Sequence, residues 1–540
     1  MIRKKKWMAT VLSVAVVLGL VVTGCGSTGG GNAAAPKEMK MSWNPGAEPK
    51  TLDPQMSNGI PEAIVELNLF EGLTRLDKDS KPQKALAESY TVSPDGLKYT
   101  FKLRDSKWNN GDPVKASDFK FAWMHALDPE AAAEYSYQLF YIKNAEAYNG
   151  KKAKADDVGI KVVDDKTLEV DLEAPTPYFL SLTAFPTYYP VNEKWVKANK
   201  DWNTKAETFV SNGPFKMKSW AHNDKIVAVK NDNYWDAKNV KLTELTFNLV
   251  EDGKAALTAF EAGQLDGMDN IPVQDIDRLR AAGTLKNTPY LGTYYYRFNV
   301  TRKPFDDPRV RQALTMAIDR KTLIDKVVKG GQTPAFAYTP GGIPDVEAGK
   351  TFRQVGGDYF KEDVAKAKEL LAQAGYPDGK NWPDNVSILY NAGASHETIA
   401  QAIQDMWSKN LGIKVKLTSQ EWKVYQVSEQ KLQYDVARAG WIGDYVDPMT
   451  FMDMFVTNGG NNQTGWSNAQ YDADIKKAKS TGDQKERMTA MHDAEKILMT
   501  EMPVMPIYFY VNNYVAKDYI KGIMRSPLGF IDFKNATVEK

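Results

Sequence analysis

Cysteine is almost missing: the chain of 540 residues has one, Cys25. No intrachain disulfide can form, so the fold rests on packing. Histidine is scarce too, and His125, His222, His396 and His492 are scattered. The common zinc sites need clustered Cys and His ligands, so neither a metal nor a cofactor is expected. Excess charge of one sign is absent. Lys and Arg number 69 against 68 Asp and Glu, a formal net charge of +1. A nucleic-acid binder would show a basic surplus, so no nucleic-acid partner is expected. Enzyme motifs are missing as well. There is no Gly-x-Ser-x-Gly and no His-Glu-x-x-His. Ala348-Gly349-Lys350-Thr351 has the end of a phosphate-binding loop, but Pro344 stands where its first glycine belongs. Asp435, Asp444 and Asp447 are spaced as carboxylates commonly are in turns and salt bridges. The expectation is a protein that is not an enzyme. A secreted hydrolase without a local motif and a holdase-like chaperone are the alternatives from other classes.

The chain is too long for one hydrophobic core, so two or three domains are expected. Hydrophobic residues are 43% and charged ones 25%, ordinary values for a globular protein. Aromatics are plentiful, with 13 Trp, 26 Tyr and 21 Phe, and most of them belong to cores. The N-terminus has Arg3, Lys4, Lys5 and Lys6 before an apolar run from Met8 to Val22. That run is short for a membrane span and suits a signal peptide. It ends in Val22-Thr23-Gly24-Cys25, which resembles the lipobox of bacterial lipoproteins, and the chain's one cysteine falls there. Residues 1–25 are therefore expected to be a lipoprotein signal peptide with a lipidated Cys25. Residues 26–40, rich in Gly and Ala, are expected to be a flexible tether.

The body begins with β-rich patterning. Tyr99, Phe101 and Leu103 alternate with polar residues, as in a half-buried strand. Ser117 stands as the cap of a helix whose apolar positions are Phe119, Ala122, Trp123, Ala126 and Leu127. Beyond Phe298–Asp307 helices and strands alternate, which is α/β patterning. A helix is expected after Asp306 or Asp307, with Pro308 in its first turn, an apolar face from Val310 to Ile324 and an end at Gly330. A buried strand is expected over Pro506–Val511. Two lobes meeting near Phe298–Asp307 would leave a ligand cleft between them.

One stretch concentrates chemistry: Tyr434-Asp435-Val436-Ala437-Arg438-Ala439-Gly440-Trp441-Ile442-Gly443-Asp444-Tyr445. Its first half reads as a buried strand holding a cation, and its second half turns at Gly440 and Gly443. A bare charge in an apolar strand needs a partner or an aqueous cavity. Arg438 and Asp444 could serve a zwitterionic ligand, or be surface charges, or pair with each other.

The same stretch resembles the Ala-Arg-Ala-Gly-Trp…Asp-Tyr segment of the oligopeptide-binding proteins that feed peptide ABC importers. Ala87-Glu88-Ser89, Tyr99-Thr100-Phe101-Lys102-Leu103-Arg104, Lys107-Trp108-Asn109-Asn110-Gly111-Asp112-Pro113 and Asp118-Phe119 match the signature of the family-5 extracellular solute-binding proteins. The resemblance runs from about Trp43 to Val511. It implies an α/β, two-lobed, periplasmic-binding-protein-like fold, a Venus flytrap of three domains. Residues 41–70, 195–296 and 506–540 would form a discontinuous first domain, 71–194 an inserted second, and 297–505 the second lobe. It implies short peptides as ligands, ABC permease subunits as partners, and a monomer held by its lipid on the outer face of the membrane, which suits a Gram-positive cell. By resemblance Asp444 binds the peptide's α-ammonium, and the backbone lies along Gly440, Trp441 and Ile442. Arg438 and His396 match cations for the carboxylate end, while Asn58, Ile60, Tyr135 and Tyr510 match pocket positions. The chain departs from the family at Glu429, where a second arginine is expected, and at Asn58, where an acid is. A signalling peptide, murein peptide, dipeptide or metal chelate is the alternative cargo.

Overall fold

Two long strands, Lys286–Phe298 and Val504–Ala516, lie antiparallel at the centre of the computed structural model. The model describes residues 38–392 and 396–540, apart from the side chains of Trp422 and Lys423. Cys25 and the tether up to residue 37 lie outside the described residues. Glu38–Lys540 forms one unit.

The two long strands are aromatic and β-branched along most of their length, which suits a buried pleated surface. They are the middle of one mixed sheet. On one side follow Val436–Ile442, Ser387–Asn391 and Lys416–Gln420. On the other follow Gly267–Met268, Lys40–Asn44, Glu244–Asn248, Lys225–Lys230 and Phe215–Ala221. The partners change along the strands themselves. Ala516 and Val515 pair with Gly267 and Met268, whereas Gly292–Phe298 pairs with Ile442–Val436. Between these regions the register slips: Pro289 pairs with Val511 and Thr293 with Phe509, so Tyr290, Leu291 and Gly292 face Tyr510. Such a bulge bends the strand and adds twist.

A separate antiparallel sheet is ordered Ala87–Val92, Lys98–Leu103, Thr167–Asp171 and Ile160–Asp164. Tyr99, Phe101 and Leu103 are buried there and Lys98 and Lys102 exposed, as the alternation predicts. In the second lobe Ser387–Asn391 runs parallel to Lys416–Gln420, connected by the helix His396–Leu411. That helix packs with Val310, Leu314, Tyr296 and Phe298 into one core.

Four local expectations need correction. The helix expected to be capped by Ser117 starts two residues earlier than that cap implies, at Ala116: Lys115 holds the cap position and Asp118 Oδ2 accepts its backbone N–H. The helix from Pro308 stops at Met316, and Asp319 then caps a new turn through the N–H of Thr322. The C-terminal strand is longer than Pro506–Val511, because it supplies partners to both lobes. The strand Val436–Ile442 continues through Gly440, and the chain leaves the sheet only after it. A Cβ at Gly440 would lie 2.4 Å from the Tyr510 hydroxyl, so the glycine serves close approach and not a turn.

Candidate functional site

Val436–Ile442 is paired along its whole length on one side and only in part on the other. Lys286–Phe298 covers the first side, from Ile442↔Gly292 to Val436↔Phe298. On the second side Ser387–Asn391 pairs only Val436 and Ala437. Backbone groups of alternate residues point to opposite edges of a strand. Gly443 donates to the Leu291 carbonyl at 2.8 Å, toward the covered side. Residues 440 and 442 therefore turn their N–H and C=O groups to the open edge.

The side chains divide the same way between the two faces. Arg438, Gly440 and Ile442 share a face with Tyr296, Tyr294 and Gly292, and Trp441 shares the opposite face with Thr293 and Tyr295. Arg438 lies over the Tyr294 ring at 4.8 Å. It donates to Asn391 Oδ1 at 3.3 Å and to the Tyr510 hydroxyl at 3.2 Å, while its Nε is buried without a partner. No carboxylate among the described residues is ion-paired to it. Tyr510 is held as a neutral phenol, pushed up to about 12 by burial against the opposing pull of Arg438. Trp441 is half-buried, with an indole N–H that is buried and unpaired.

Asp444 is 6% exposed. Its Oδ2 accepts from Gln138 Nε2 at 2.6 Å and from the Tyr137 hydroxyl at 3.4 Å, and its backbone N–H donates to Thr450 Oγ1. No cation among the described residues pairs with it. Burial, followed by the negative charge of Asp453, pushes its carboxyl well above the usual carboxylate range; hydrogen bonds from Tyr137, Gln138 and Tyr135 pull the other way. Arg438 and Asp444 are thus not each other's partner. They are a buried acid and a buried guanidinium, neither ion-paired to another described residue, at the two ends of one open strand edge.

Other expected residues gather around them unequally. His396 meets the Tyr294 hydroxyl through Nδ1 at 3.2 Å, on the Arg438 face. Burial, followed by the Arg438 charge, pushes it well below its ordinary value. Tyr135 stacks on Tyr137 at 5.6 Å, beside Asp444. Asn58 donates to Glu134 and sits outside the buried set. Ile60 is 51% exposed at the start of its helix. Glu429 is a buried partner of Arg297, which also donates to Gln463 at 2.6 Å. Sequence reasoning missed Gln138 and Tyr137, the groups from the first lobe that touch Asp444. The only signal for them was the aromatic cluster around Tyr135.

The lobes meet beside this site. The Tyr178 ring stacks on Tyr445 at 4.3 Å and 7°. The Tyr141 hydroxyl meets that of Tyr445 at 3.0 Å and donates to Asp453 at 3.3 Å. Below them Arg487 makes a two-pronged ion pair with Asp447, and its guanidinium lies 5.2 Å from the Tyr178 ring. Among the described residues no group of acids, histidines and cysteines is placed to hold a metal, and no helix is long and apolar enough to cross a membrane.

Comparison with known proteins fits this geometry. Residues 81–463 match the bacterial extracellular solute-binding proteins, family 5. The oligopeptide-binding protein OppA of Bacillus subtilis is 40% identical over 550 residues, covering 99% of each chain. The crystal structure of Haemophilus influenzae OppA complexed with RPPGFSPFR superposes with a TM-score of 0.84 at 35% identity, covering 93% of this chain and 99% of that one. The Escherichia coli murein tripeptide-binding protein MppA gives 0.86 at 34% identity, with the same coverage. An MppA structure described as the unliganded open form gives only 0.67 at 33% identity, covering 93% and 98%.

Proposed function

This chain belongs to the family-5 bacterial extracellular solute-binding proteins, and from that premise we propose that it captures short peptides between its lobes for an ABC importer. The observation that carries the reading is the open edge of Val436–Ile442 between an uncompensated Asp444 and an uncompensated Arg438. A free peptide is a strand with an ammonium at one end and a carboxylate at the other. Its backbone bonds to Gly440 and Ile442 as an added strand, which gives affinity without reading sequence. Its ammonium replaces the missing cation at Asp444, and its carboxylate replaces the missing anion at Arg438. Each charged hydrogen bond of this kind contributes about 1.5–3 kcal/mol. With the N-terminus at Asp444, the peptide runs antiparallel to Val436–Ile442.

Side chains of such a peptide alternate between the two faces. One set points toward Tyr294, Tyr510, Arg438 and His396, the other toward Trp441. Tyr135, Asn58 and Ile60 stand on the first-lobe side. Closure brings Gln138 and Tyr137 to Asp444, so the ammonium is sealed by both lobes. The protein binds and releases its ligand without changing it covalently. The lipobox-like Val22-Thr23-Gly24-Cys25 supports anchoring by lipid at Cys25 on the outer face of a cell membrane, as in a Gram-positive cell. The sheet that changes partners near Tyr290–Gly292 and Tyr510 supports a first domain from 41–70, 195–296 and 506–540, an inserted 71–194 and a second lobe of 297–505.

Native mass spectrometry on protein lacking residues 1–25, followed by denaturation and sequencing of what is released, tests the reading. A mixture of short peptides is the expected result. A single defined mass identifies a dedicated receptor for one signal or chelate. An empty protein that also ignores added tri- to pentapeptides refutes the proposal.

A further inference from the structure

The open strand edge is closed at both of its ends, by two contacts that the peptide reading does not use. At the Asp444 end the next outward backbone N–H, that of Asp444 itself, is taken by Thr450 Oγ1 at 3.0 Å. At the other end the carbonyl of Arg438 accepts the Tyr425 hydroxyl. Beyond that carbonyl, Val436 and Ala437 are covered by Ser387–Asn391. The ladder therefore offers two outward register positions, Ile442 and Gly440, and no more.

Tyr425 is fixed where it stands. It lies on the helix Trp422–Gln430, and its hydroxyl is also 3.0 Å from Glu429 Oε1, one turn on. Glu429 is in turn clamped by Arg297, on the strand that backs Val436–Ile442. The hydroxyl, the carboxylate and the guanidinium form one buried string from the helix to the sheet.

Resting on the peptide reading above, we infer that Tyr425 is a specificity-determining residue that limits peptide length. In an antiparallel ladder the residues that exchange bonds are two apart. A first residue opposite Ile442 places the third opposite Gly440 and the fifth opposite Arg438. That fifth position is the one whose acceptor Tyr425 already fills. The favoured ligands are thus peptides of about three or four residues, whose carboxylate reaches the Arg438 guanidinium before the ladder ends. A longer peptide must leave the sheet plane before its carboxylate is placed. Length is not fixed by the family, since the Haemophilus influenzae relative holds RPPGFSPFR.

Titration calorimetry with a series of alanine-rich peptides, from tripeptide to octapeptide, tests this on the wild type and on Tyr425→Phe and Tyr425→Ala. Tyr425→Phe keeps the ring and its packing, so it answers the question even where the alanine variant folds poorly. The readout is the ratio of hexapeptide to tripeptide affinity, which loss of stability alone does not move in a folded sample. The wild type is expected to bind the hexapeptide at least tenfold more weakly than the tripeptide. Tyr425→Phe should narrow that gap severalfold, and Tyr425→Ala should close it. A wild type that binds hexa- and octapeptides as tightly as tripeptides overturns the inference and leaves the peptide reading standing. So does a length profile that neither variant changes. A wild type that binds no peptide of any length overturns both.

Discussion

Replacing Asp444 with asparagine keeps the shape of the side chain and removes its charge. The oxygen of the new amide still accepts from Gln138, so the lobes retain their contact. What is lost is the attraction between a buried carboxylate and the peptide ammonium. Removing one partner of a buried, hydrogen-bonded ion pair costs about 3–5 kcal/mol. Taking about 3 kcal/mol, and about 1.4 kcal/mol per tenfold change, the dissociation constant rises by roughly two orders of magnitude. Titration calorimetry with one tetrapeptide, free or N-acetylated, makes the test specific. Acetylation should weaken binding to the wild type by a similar factor and add little to the loss in Asp444→Asn. An unchanged dissociation constant, or an acetylation penalty equal in both proteins, refutes the assignment of the ammonium to Asp444.

The same residue gives a pH signature with a definite sign. Burial, followed by the negative charge of Asp453, holds the Asp444 carboxyl well above its usual range. The ammonium favours the ionised form, so binding at pH below that raised value expels a proton. Affinity therefore climbs as pH rises through the window between the ordinary and the raised value. It falls again above about 8, where the peptide's own amine loses its proton. The fold shows the opposite dependence. A carboxyl whose pKa is raised by folding contributes stability that is full below about 3.9 and is lost as pH rises through the raised value. Asp444→Asn should flatten the acid limb of the binding profile and leave the alkaline limb.

Gly440→Ala places a methyl 2.4 Å from the Tyr510 hydroxyl. Overpacking of this kind costs about 1–3 kcal/mol, and Tyr510 must move off Arg438, so both the melting temperature and peptide affinity should drop. An alanine variant with wild-type affinity would remove Gly440 from the site. Asp447→Asn leaves the Arg487 guanidinium buried without its carboxylate, at about 3–5 kcal/mol. Denaturant unfolding should show that loss; a stability within about 1 kcal/mol of the wild type would mean that the pair contributes little.

Much of the second lobe was legible because its signals are local. Asp307 and Pro308 start a helix, and Ser387–Asn391, His396–Leu411 and Lys416–Gln420 form a parallel unit with ordinary periodicity. The stretch around Arg438 was legible as a site because a cation in an apolar strand demands an explanation. Gly440 was misread as a turn, since nothing nearby in sequence shows that Tyr510, 70 residues on, fills the space of its Cβ. His396 was read as a carboxylate-end cation by resemblance; the burial and the Arg438 charge that push it below its ordinary value arise from residues distant in the chain. Gln138 and Tyr425 were invisible for a related reason. Their roles arise where the lobes close or where a helix end meets a strand edge, and neither follows from the residues beside them in the chain.

The fold also joins binding to closure through shared residues. The strand that would receive the peptide lies directly against Gly292–Phe298, one of the two long strands that pass from lobe to lobe. The bulge between the lobes sits at Tyr290–Gly292, and the residue opposite it is Tyr510. Tyr510 in turn contacts Arg438 and occupies the space above Gly440. A carboxylate drawn onto Arg438 therefore pulls on the residue that faces the bend. At the other end of the strand Asp444, the proposed ammonium site, is already held by Gln138 and Tyr137. Only contacts that differ between two arrangements of the lobes can shift their equilibrium, and the Asp444 contacts with Gln138 and Tyr137 are the ones placed to do so. A ligand that fills one end alone, such as an N-acetylated peptide or a peptide amide, lacks half of that leverage. It should bind more weakly and also close the lobes less completely.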